Sequence, residues 1–124
     1  MTTTKQGTEH RIHPDGSEYW YMDGAIHRED GPAVTWPGGH LSWYKNGALH
    51  RDDGPAVTDG NGSRYWFRCG QCHREDGPAV VKPDGSTEWY LHNTKVTSYK
   101  EFQVWSGKSD EEMTLIVLKH GNIG

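Results

Sequence analysis

An eight-residue stretch occurs three times along this chain, each time after a step of 23 residues. It reads HREDGPAV at 27–34, HRDDGPAV at 50–57 and HREDGPAV at 73–80. The same step separates four tryptophans, each followed by Tyr or Phe: Trp20, Trp43, Trp66 and Trp89. A fixed period of this length indicates a tandem array, in which each unit buries its apolar face against its neighbours.

The composition limits how the units are packed. Of the 124 residues only 32% are hydrophobic, whereas there are 16 glycines, six tryptophans and six tyrosines. A chain of this length and polarity has too little apolar surface for a thick two-layer core. We therefore expect a single domain over 1–124, with a thin sheet whose contacts are mainly aromatic.

The charge pattern excludes some classes of partner. The net charge of −4 arises from interleaved acidic and basic residues. This pattern indicates neither a nucleic-acid mimic nor a stripe of basic residues that binds phosphate. No apolar run is long enough to cross a bilayer, and residues 1–7 lack the apolar stretch of a secretion signal. We expect no membrane partner and a cytoplasmic location, where Cys69 and Cys72 would be reduced thiols.

Each unit begins with a predicted β-hairpin. Asp23-Gly24, Asn46-Gly47 and Cys69-Gly70 lie between short aromatic or aliphatic runs, and such pairs favour a type I′ turn because both central residues need positive φ. The fourth unit has His92-Asn93, and Asn is the residue other than Gly that best tolerates this conformation.

A two-residue turn also fixes the register of the hairpin. Tyr21 then faces Ile26 on one side of the ribbon, and Trp20 faces His27 on the other. We expect the side with Tyr and the aliphatic residues to form the core. The Gly-Pro step of each eight-residue stretch predicts a bend, after which Ala-Val resumes an extended strand.

The ends of the array differ from its middle. Two S-x-x-E pairs, Ser98 with Glu101 and Ser109 with Glu112, predict two short helices. We expect glycines 107 and 121 to end them, and the second helix, about 110–120, to cover the edge or face of the last hairpin. The predicted segments are an N-terminal cap at 8–19, repeats at 20–42, 43–65 and 66–88, a partial repeat at 89–97 and a helical cap at 98–121.

The predicted fold is therefore mainly β, a single-layer antiparallel sheet of tandem β-hairpin repeats with a C-terminal cap of two short helices. Over about residues 12–96 the units resemble MORN repeats, since the step, the opening at 43–50 and the closing Gly are similar. They are most similar to the MORN-like "HRxDGPA" repeats of uncharacterised bacteriophage, bacterial and giant-virus proteins. This resemblance implies an extended hairpin sheet, a binding or scaffolding role and a viral origin, and it implies no reaction.

The repeated histidines and arginines have a structural interpretation. We call the bend that follows each His, from Arg to Pro, the corner of its repeat. We expect each His to pack against the Trp across the strand pair. We expect each Arg to pair with an acid of its own or a neighbouring corner. A metal ladder is disfavoured because equivalent residues two strands apart are separated by about 9–10 Å. Catalysis is disfavoured as well, since each candidate group occurs three times in equivalent surroundings. We expect no cofactor and no metal.

The cysteines match a haem-attachment pattern, C-x-x-C-H, at residues 69–73. The repeat explains this match without haem. His73 is the repeat's own histidine, Cys72 occupies the aliphatic position of Ile26, and Cys69 occupies the turn position of Asp23. Two thiols are too few for a closed zinc site. Reduced, partly buried thiols are the favoured interpretation.

These observations predict a non-catalytic protein-binding module, which the viral resemblance extends to an inhibitor of a host or anti-phage defence protein. The alternatives are a nucleotide or oligonucleotide binder, with bases stacked on the Trp/His/Arg face, and a virion or assembly scaffold component. Residues that depart from the repeat are the leading contact candidates: Trp36, His40, Arg64, Arg68 and Trp105. The candidates on the repeat face are Trp20, His27, Arg28, Trp43, His50, Arg51, Trp66, His73 and Arg74.

Overall fold

The computed structural model describes residues 7–123, in which short antiparallel strands precede two helices at the C-terminal end. The predicted fold class, mainly β with a two-helix cap, is confirmed. Neither of these helices, nor any other in the described part of the chain, has the length and apolar character that a membrane span requires.

The array begins with the predicted pair of strands. Strand β1 (Thr8–Ile12) lies antiparallel to β2 (Glu18–Met22), with His10 opposite Trp20. Strand β2 continues past the predicted end of the N-terminal cap and forms the first hairpin with β3 (Ala25–Ile26). The cap and the first repeat are thus one continuous piece of sheet.

The remaining strands follow the 23-residue step, and most contain only two residues. They are β4 (Val34–Thr35), β5 (Leu41–Ser42), β6 (Tyr44–Lys45), β7 (Ala48–Leu49), β8 (Val57–Thr58), β9 (Arg64–Tyr65), β10 (Phe67–Arg68), β11 (Gln71–Cys72), β12 (Val80–Val81), β13 (Thr87–Leu91) and β14 (Thr94–Val96).

Two kinds of pairing join the units. The main sheet has the order β1-β2-β4-β5-β8-β9-β12-β13-β14, with β3 paired to β2, so neighbouring repeats share a continuous ladder. The hairpins β6-β7 and β10-β11 stand beside this ladder as separate pairs. Hydrogen bonds also link each hairpin to the next: the amide of Gly47 donates to the carbonyl of Ile26 at 2.8 Å, and the amide of Arg28 donates to that of Tyr44 at 3.2 Å.

The hairpin turns have the predicted geometry. Asp23 and Gly24 have φ of +50° and +84°, and the corresponding pairs in the second and third repeats are nearly identical. In the fourth unit His92 and Asn93 have φ of +48° and +67°. Positive φ at both central positions is the signature of a type I′ turn, so this prediction is confirmed.

The predicted core face is wrong for the first repeat, and in the second repeat both faces of the hairpin are half-buried. Tyr21 and Ile26 are only half-buried, whereas His27 on the opposite side of the ribbon is buried. The best-buried side chains of the array are the alanines after the bend, Ala33, Ala56 and Ala79, at 0% exposure. The carbonyl of each alanine accepts a hydrogen bond from the backbone amide of the tryptophan of its own unit, so the alanine lies inside the ladder.

The two predicted helices are confirmed. Helix α1 (Tyr99–Ser106) begins after Ser98, and α2 (Asp110–His120) begins after Ser109, whose capping box with Glu112 is complete. Gly107 and Gly121 end them as expected. Their inner sides pack on the face of the last hairpin and form the largest apolar cluster: Trp89, Leu91, Val96, Phe102, Met113 and Ile116.

Candidate functional site

The three repeated corners are held by arginine clamps of nearly identical geometry. In the second repeat the Arg51 guanidinium lies 3.9 Å from the centre of the Trp43 ring. Its Nε donates to Asp53 Oδ1 at 3.1 Å, and its Nη1 donates to the carbonyl of Pro55 at 3.2 Å. The first and third repeats reproduce these three contacts around Arg28 and Arg74. The prediction that each Arg pairs with an acid of its own corner is confirmed.

This clamp explains the glycine of the repeated corner. A Cβ built on Gly54 would stand 2.9 Å from the Arg51 Cζ, and the first and third corners are equally tight. Any side chain at this position would push the guanidinium away from its partners. The glycine therefore provides room for the arginine at the bend.

The histidines connect one repeat to the next. The Nδ1 of His27 accepts the backbone N–H of Asn46 at 2.9 Å, and His50 accepts that of Cys69 at 3.0 Å. His73 does the same with His92 at 2.8 Å. Each acceptor lies 19 residues before its donor, so every His contacts the first residue of the following hairpin turn. We expected these histidines to pack on the tryptophans, but the arginines lie over those rings.

These hydrogen bonds fix the tautomer of each imidazole. An Nδ1 that accepts an amide N–H carries no proton, so the neutral ring carries its proton on Nε2. In the second repeat Nε2 of His50 lies 3.0 Å from Asp52 Oδ1. The corresponding distances to Glu29 and Glu75 are 3.6 and 3.8 Å. The first acid of each corner thus faces the histidine, and the second acid holds the arginine.

The N-terminal cap completes the first clamp. The His10 ring stacks on Trp20 with centroids 4.0 Å apart, while Arg28 also lies 4.0 Å from the ring. Two groups cannot both stack this closely on one side, so the indole is held between them. Nε2 of His10 contacts Glu18 Oε1 at 2.8 Å.

Burial and charge shift several pKa values in the third repeat. Burial lowers the pKa of His73, and the neighbouring His92 lowers it further. Burial raises the pKa of the Cys72 thiol to about 11. Although burial acts to raise it, the hydrogen bond and charge of Arg74 hold the pKa of Asp76 below its usual value. At neutral pH these groups are therefore an uncharged imidazole, a thiol and a carboxylate.

Open clefts lie between successive corners and hairpins. The cleft between the second and third corners has a volume of about 450 Å³, and two others measure about 350 and 310 Å³. Three arginines and four carboxylates line the largest one: Arg51, Arg68, Arg74, Asp52, Asp53, Glu75 and Asp76. Its lining is polar and carries both signs of charge.

The five candidates that depart from the repeat occupy three places. Trp36 and His40 flank the turn between β4 and β5, where the Trp36 ring is 41% exposed and His40 Nδ1 lies 3.1 Å from Asp59. Arg64 is exposed on β9 and Arg68 is exposed on β10, and Arg68 reaches Glu75 at 3.4 Å. Trp105 lies on α1 and is 47% exposed. The structure therefore does not unite them in one site.

Trp105 belongs to a surface that the sequence analysis missed. Val104, Leu115 and Leu118 also face solvent on the two cap helices, with exposures of 66%, 68% and 78%. We call these three residues and Trp105 the cap patch. The signal was present in the sequence, because Leu115 and Leu118 lie on the opposite side of α2 from Met113 and Ile116.

Within residues 7–123 no group of three or more His, Cys, Asp and Glu residues is arranged to hold a metal ion. The chain also gives no match in three comparisons with known proteins, namely protein-family models, curated proteins and solved structures.

Proposed function

We propose that this protein is a non-catalytic protein-binding module that contacts its partner through the cap patch. The observation that carries this proposal is the exposure of four large apolar side chains on the two cap helices: Val104, Trp105, Leu115 and Leu118. Large apolar groups that a fold leaves exposed are typical of surfaces that bind other proteins. A tryptophan among them supplies the kind of anchor that dominates binding energy.

The inner core of the cap is packed without these side chains. Phe102 and Met113 are fully buried beneath the helices, and Ile116 is 7% exposed. Each helix is also capped at both ends, so the helices are specified without the outer residues. Apolar side chains on the outer side are therefore available for a partner that buries them.

The repeated corners support a structural role rather than a binding one. Arg51 uses its Nε and Nη1 on its own corner, and His50 uses Nδ1 on the next repeat. The groups left exposed there are mainly carboxylates, such as Asp30 and Asp53, whose side chains are 87% and 84% exposed. A fringe of carboxylates repels phosphate, so it disfavours the alternative of a nucleotide or oligonucleotide binder.

The biological setting rests on the resemblance to viral and bacterial repeats. We extend the proposal to a small phage-encoded accessory protein that acts in the host cytoplasm. Covering the functional surface of a host or anti-phage defence protein would require no catalytic group. It would require an apolar patch on a rigid array, which the cap patch supplies.

The test is capture of partners from host lysate by the tagged protein and by two surface variants. The first variant carries Leu115→Glu and Leu118→Glu, which place charges in the cap patch. The second carries Arg64→Glu and Trp36→Ala, which alter the sheet surface. We expect a single protein at near one-to-one stoichiometry, retained by the second variant and lost by the first.

Two results would overturn this proposal. A partner that binds the cap variant as well as it binds the native chain would place the contact elsewhere. Absence of a protein partner, together with a nucleotide carried by the purified protein, would favour the clefts between the corners. Far-ultraviolet circular dichroism of both variants shows whether a lost interaction reflects surface chemistry or unfolding.

A further inference from the structure

Strand β1 is an edge strand of the main sheet. It stands first in the strand order, and among residues 7–123 it pairs with β2 alone. Edge strands of soluble proteins are usually blunted by a lysine, a proline or a bulge, because an edge accepts strands from other molecules. Strand β1, with the sequence TEHRI, has none of these, and its last residue, Ile12, is 64% exposed.

The two charges of β1 lie on the same side of the sheet and neutralise each other. Arg11 Nη2 donates to Glu9 Oε1 at 2.9 Å. The Arg11 guanidinium also lies 4.9 Å from the centre of the Tyr21 ring, which holds it over this face. The strand therefore carries an ordered pair of opposite charges and no net charge that would repel a second strand.

The register of the first strand pair shows which backbone groups of β1 point outward. The amide of His13 donates to the carbonyl of Ser17 at 2.9 Å. In an antiparallel pair, residues that bond to the partner strand alternate with residues that do not. Glu9 and Arg11 therefore bond toward β2, whereas the backbone N–H and C=O of His10 point away from it.

Charge selects one register for a second copy of β1. Residues that bond outward must lie opposite one another, so a twofold axis passes through a residue rather than between two. An axis through Glu9 places two carboxylates opposite each other, and an axis through Arg11 does the same with two guanidinium groups. An axis through His10 places each Glu9 opposite the Arg11 of the other copy.

We propose that two copies of this chain associate through β1, antiparallel about a twofold axis at His10. The two His10 residues exchange backbone N–H···O=C bonds, so the two sheets become one. Glu9 and Arg11 of both copies form a ring of alternating charges, in which each guanidinium donates to its own and to the opposite carboxylate, since it has five N–H groups. Ile12 lies opposite Thr8 of the second copy, which covers part of its exposed side chain.

The other end of the sheet does not offer the same contact. Strand β14 stands last in the strand order, and Lys95 is its middle residue. An antiparallel copy about this residue would place two ammonium groups opposite each other. We therefore expect association to stop at the dimer, because a closed twofold interface uses the β1 edge of both copies.

Sedimentation equilibrium at pH 8, where histidine is uncharged, measures this association at protein concentrations from about 10 μM to about 1 mM. The interface is small, so we expect a weak dimer. Arg11→Glu and Glu9→Arg each place like charges at both of the paired positions. We expect either variant alone to dimerise roughly tenfold more weakly than the native chain, or weaker still.

An equimolar mixture of these two variants is the decisive experiment. One chain then carries Arg at positions 9 and 11 and the other carries Glu at both, so every pair between unlike chains has opposite charges. We expect the mixture to associate at least as strongly as the native chain. Because this requires both chains to be folded, restoration also shows that repulsion, and not unfolding, weakens each variant alone.

The variant with Leu115→Glu and Leu118→Glu is the control for association through the cap patch. It should dimerise as the native chain does, and loss of its dimer would place the contact on the cap patch and overturn the proposal. A native chain that stays monomeric up to about 1 mM would also overturn it, as would species larger than a dimer. The same holds for a dimer that neither charge variant weakens, and for a mixture that fails to associate.

Discussion

The tryptophan that opens each unit has different surroundings in the array and at its C-terminal end. In the second repeat Trp43 is half-buried, with Arg51 stacked 3.9 Å from its ring. At the end of the array Trp89 is 2% exposed, and the Phe102 ring meets it edge-on at 5.1 Å. Thr97 stands where the other units have arginine, so the last unit has no guanidinium to provide.

The difference follows from what lies next to each tryptophan. A clamp made of a cation, a carboxylate and a carbonyl tolerates water on one side, so it suits a sheet one layer thick. The last unit lacks a following repeat, and it completes its packing with two helices instead. The array combines repeated polar contacts with a small apolar cluster around Cys72, Ala79 and Val80, whereas its C-terminal end is stabilised by a larger apolar cluster.

The sharpest test of this contrast is removal of the aromatic ring that replaces the arginine. Phe102→Ala leaves a cavity against Trp89, and we expect it to lower the free energy of unfolding by about 3–5 kcal/mol. Urea denaturation followed by circular dichroism measures this loss. The control is Val104→Ala on the same helix, which is 66% exposed and should change stability by less than about 0.5 kcal/mol.

The corresponding change in the array should have a smaller effect. Arg51→Met keeps an apolar stem over Trp43 but removes the cation and both hydrogen bonds, and we expect a loss of about 2 kcal/mol. Arg51→Lys should lose nearly as much, because an ammonium cannot bond Asp53 and the Pro55 carbonyl in the same fork. The same denaturation experiment measures both variants. An Arg51 variant less stable than Phe102→Ala would reverse the contrast.

The sequence predicted the features that depend on local chemistry. Asn46-Gly47 was recognisable as a turn because few residues adopt positive φ, and Ser109 was recognisable as a helix start because its side chain and that of Glu112 satisfy free amides. The arginine and its acid were predictable as a pair because they are two residues apart in the same corner. All three signals lie within a few neighbouring residues.

Features that depend on contacts between units were not predictable in this way. The bond from His27 to the amide of Asn46 spans 19 residues, and its donor is backbone, which leaves no trace in the residue type. The predicted core face was also wrong in the first repeat, where the contact of His27 with the next unit buries that side of the hairpin instead of the side with Tyr21. The pairing of Cys69 with His50 followed from the same long-range contact and was missed with it.

The histidine contact makes the array sensitive to pH at its third junction. Burial and His92 lower the pKa of His73 in the folded protein, so the unfolded chain takes up a proton first as the pH falls. The stability due to neutral His73 is complete above the unfolded pKa of about 6.5 and is lost as the pH falls toward the lower folded value. The slope of stability against pH from this group reaches at most about 1.4 kcal/mol per pH unit.

Urea denaturation between pH 5 and 8, compared for the native chain and His73→Gln, measures this effect. The variant should be less stable at pH 8, because a Gln side chain does not hold its acceptor oxygen where His73 Nδ1 receives the His92 amide. Its stability should also fall less steeply with acid. Some slope remains, since burial also lowers the pKa of His120. Parallel curves for the two chains would show that His73 does not titrate over this range.

The smallest expected effect is at the turn between the array and the helical cap. Asn93 has φ of +67°, and its Oδ1 accepts the amide of Cys72 at 3.3 Å, so it serves the turn and the junction together. Asn93→Gly relieves the backbone conformation but loses the hydrogen bond, and these effects of about 0.5–1 kcal/mol each should nearly cancel. Asn93→Ala loses both, and we expect it to cost about 1–2 kcal/mol. Thermal unfolding measures the difference between the two variants. If Asn93→Ala is as stable as Asn93→Gly, this turn does not need a residue that tolerates positive φ, unlike the other three turns, and the helical cap determines its stability.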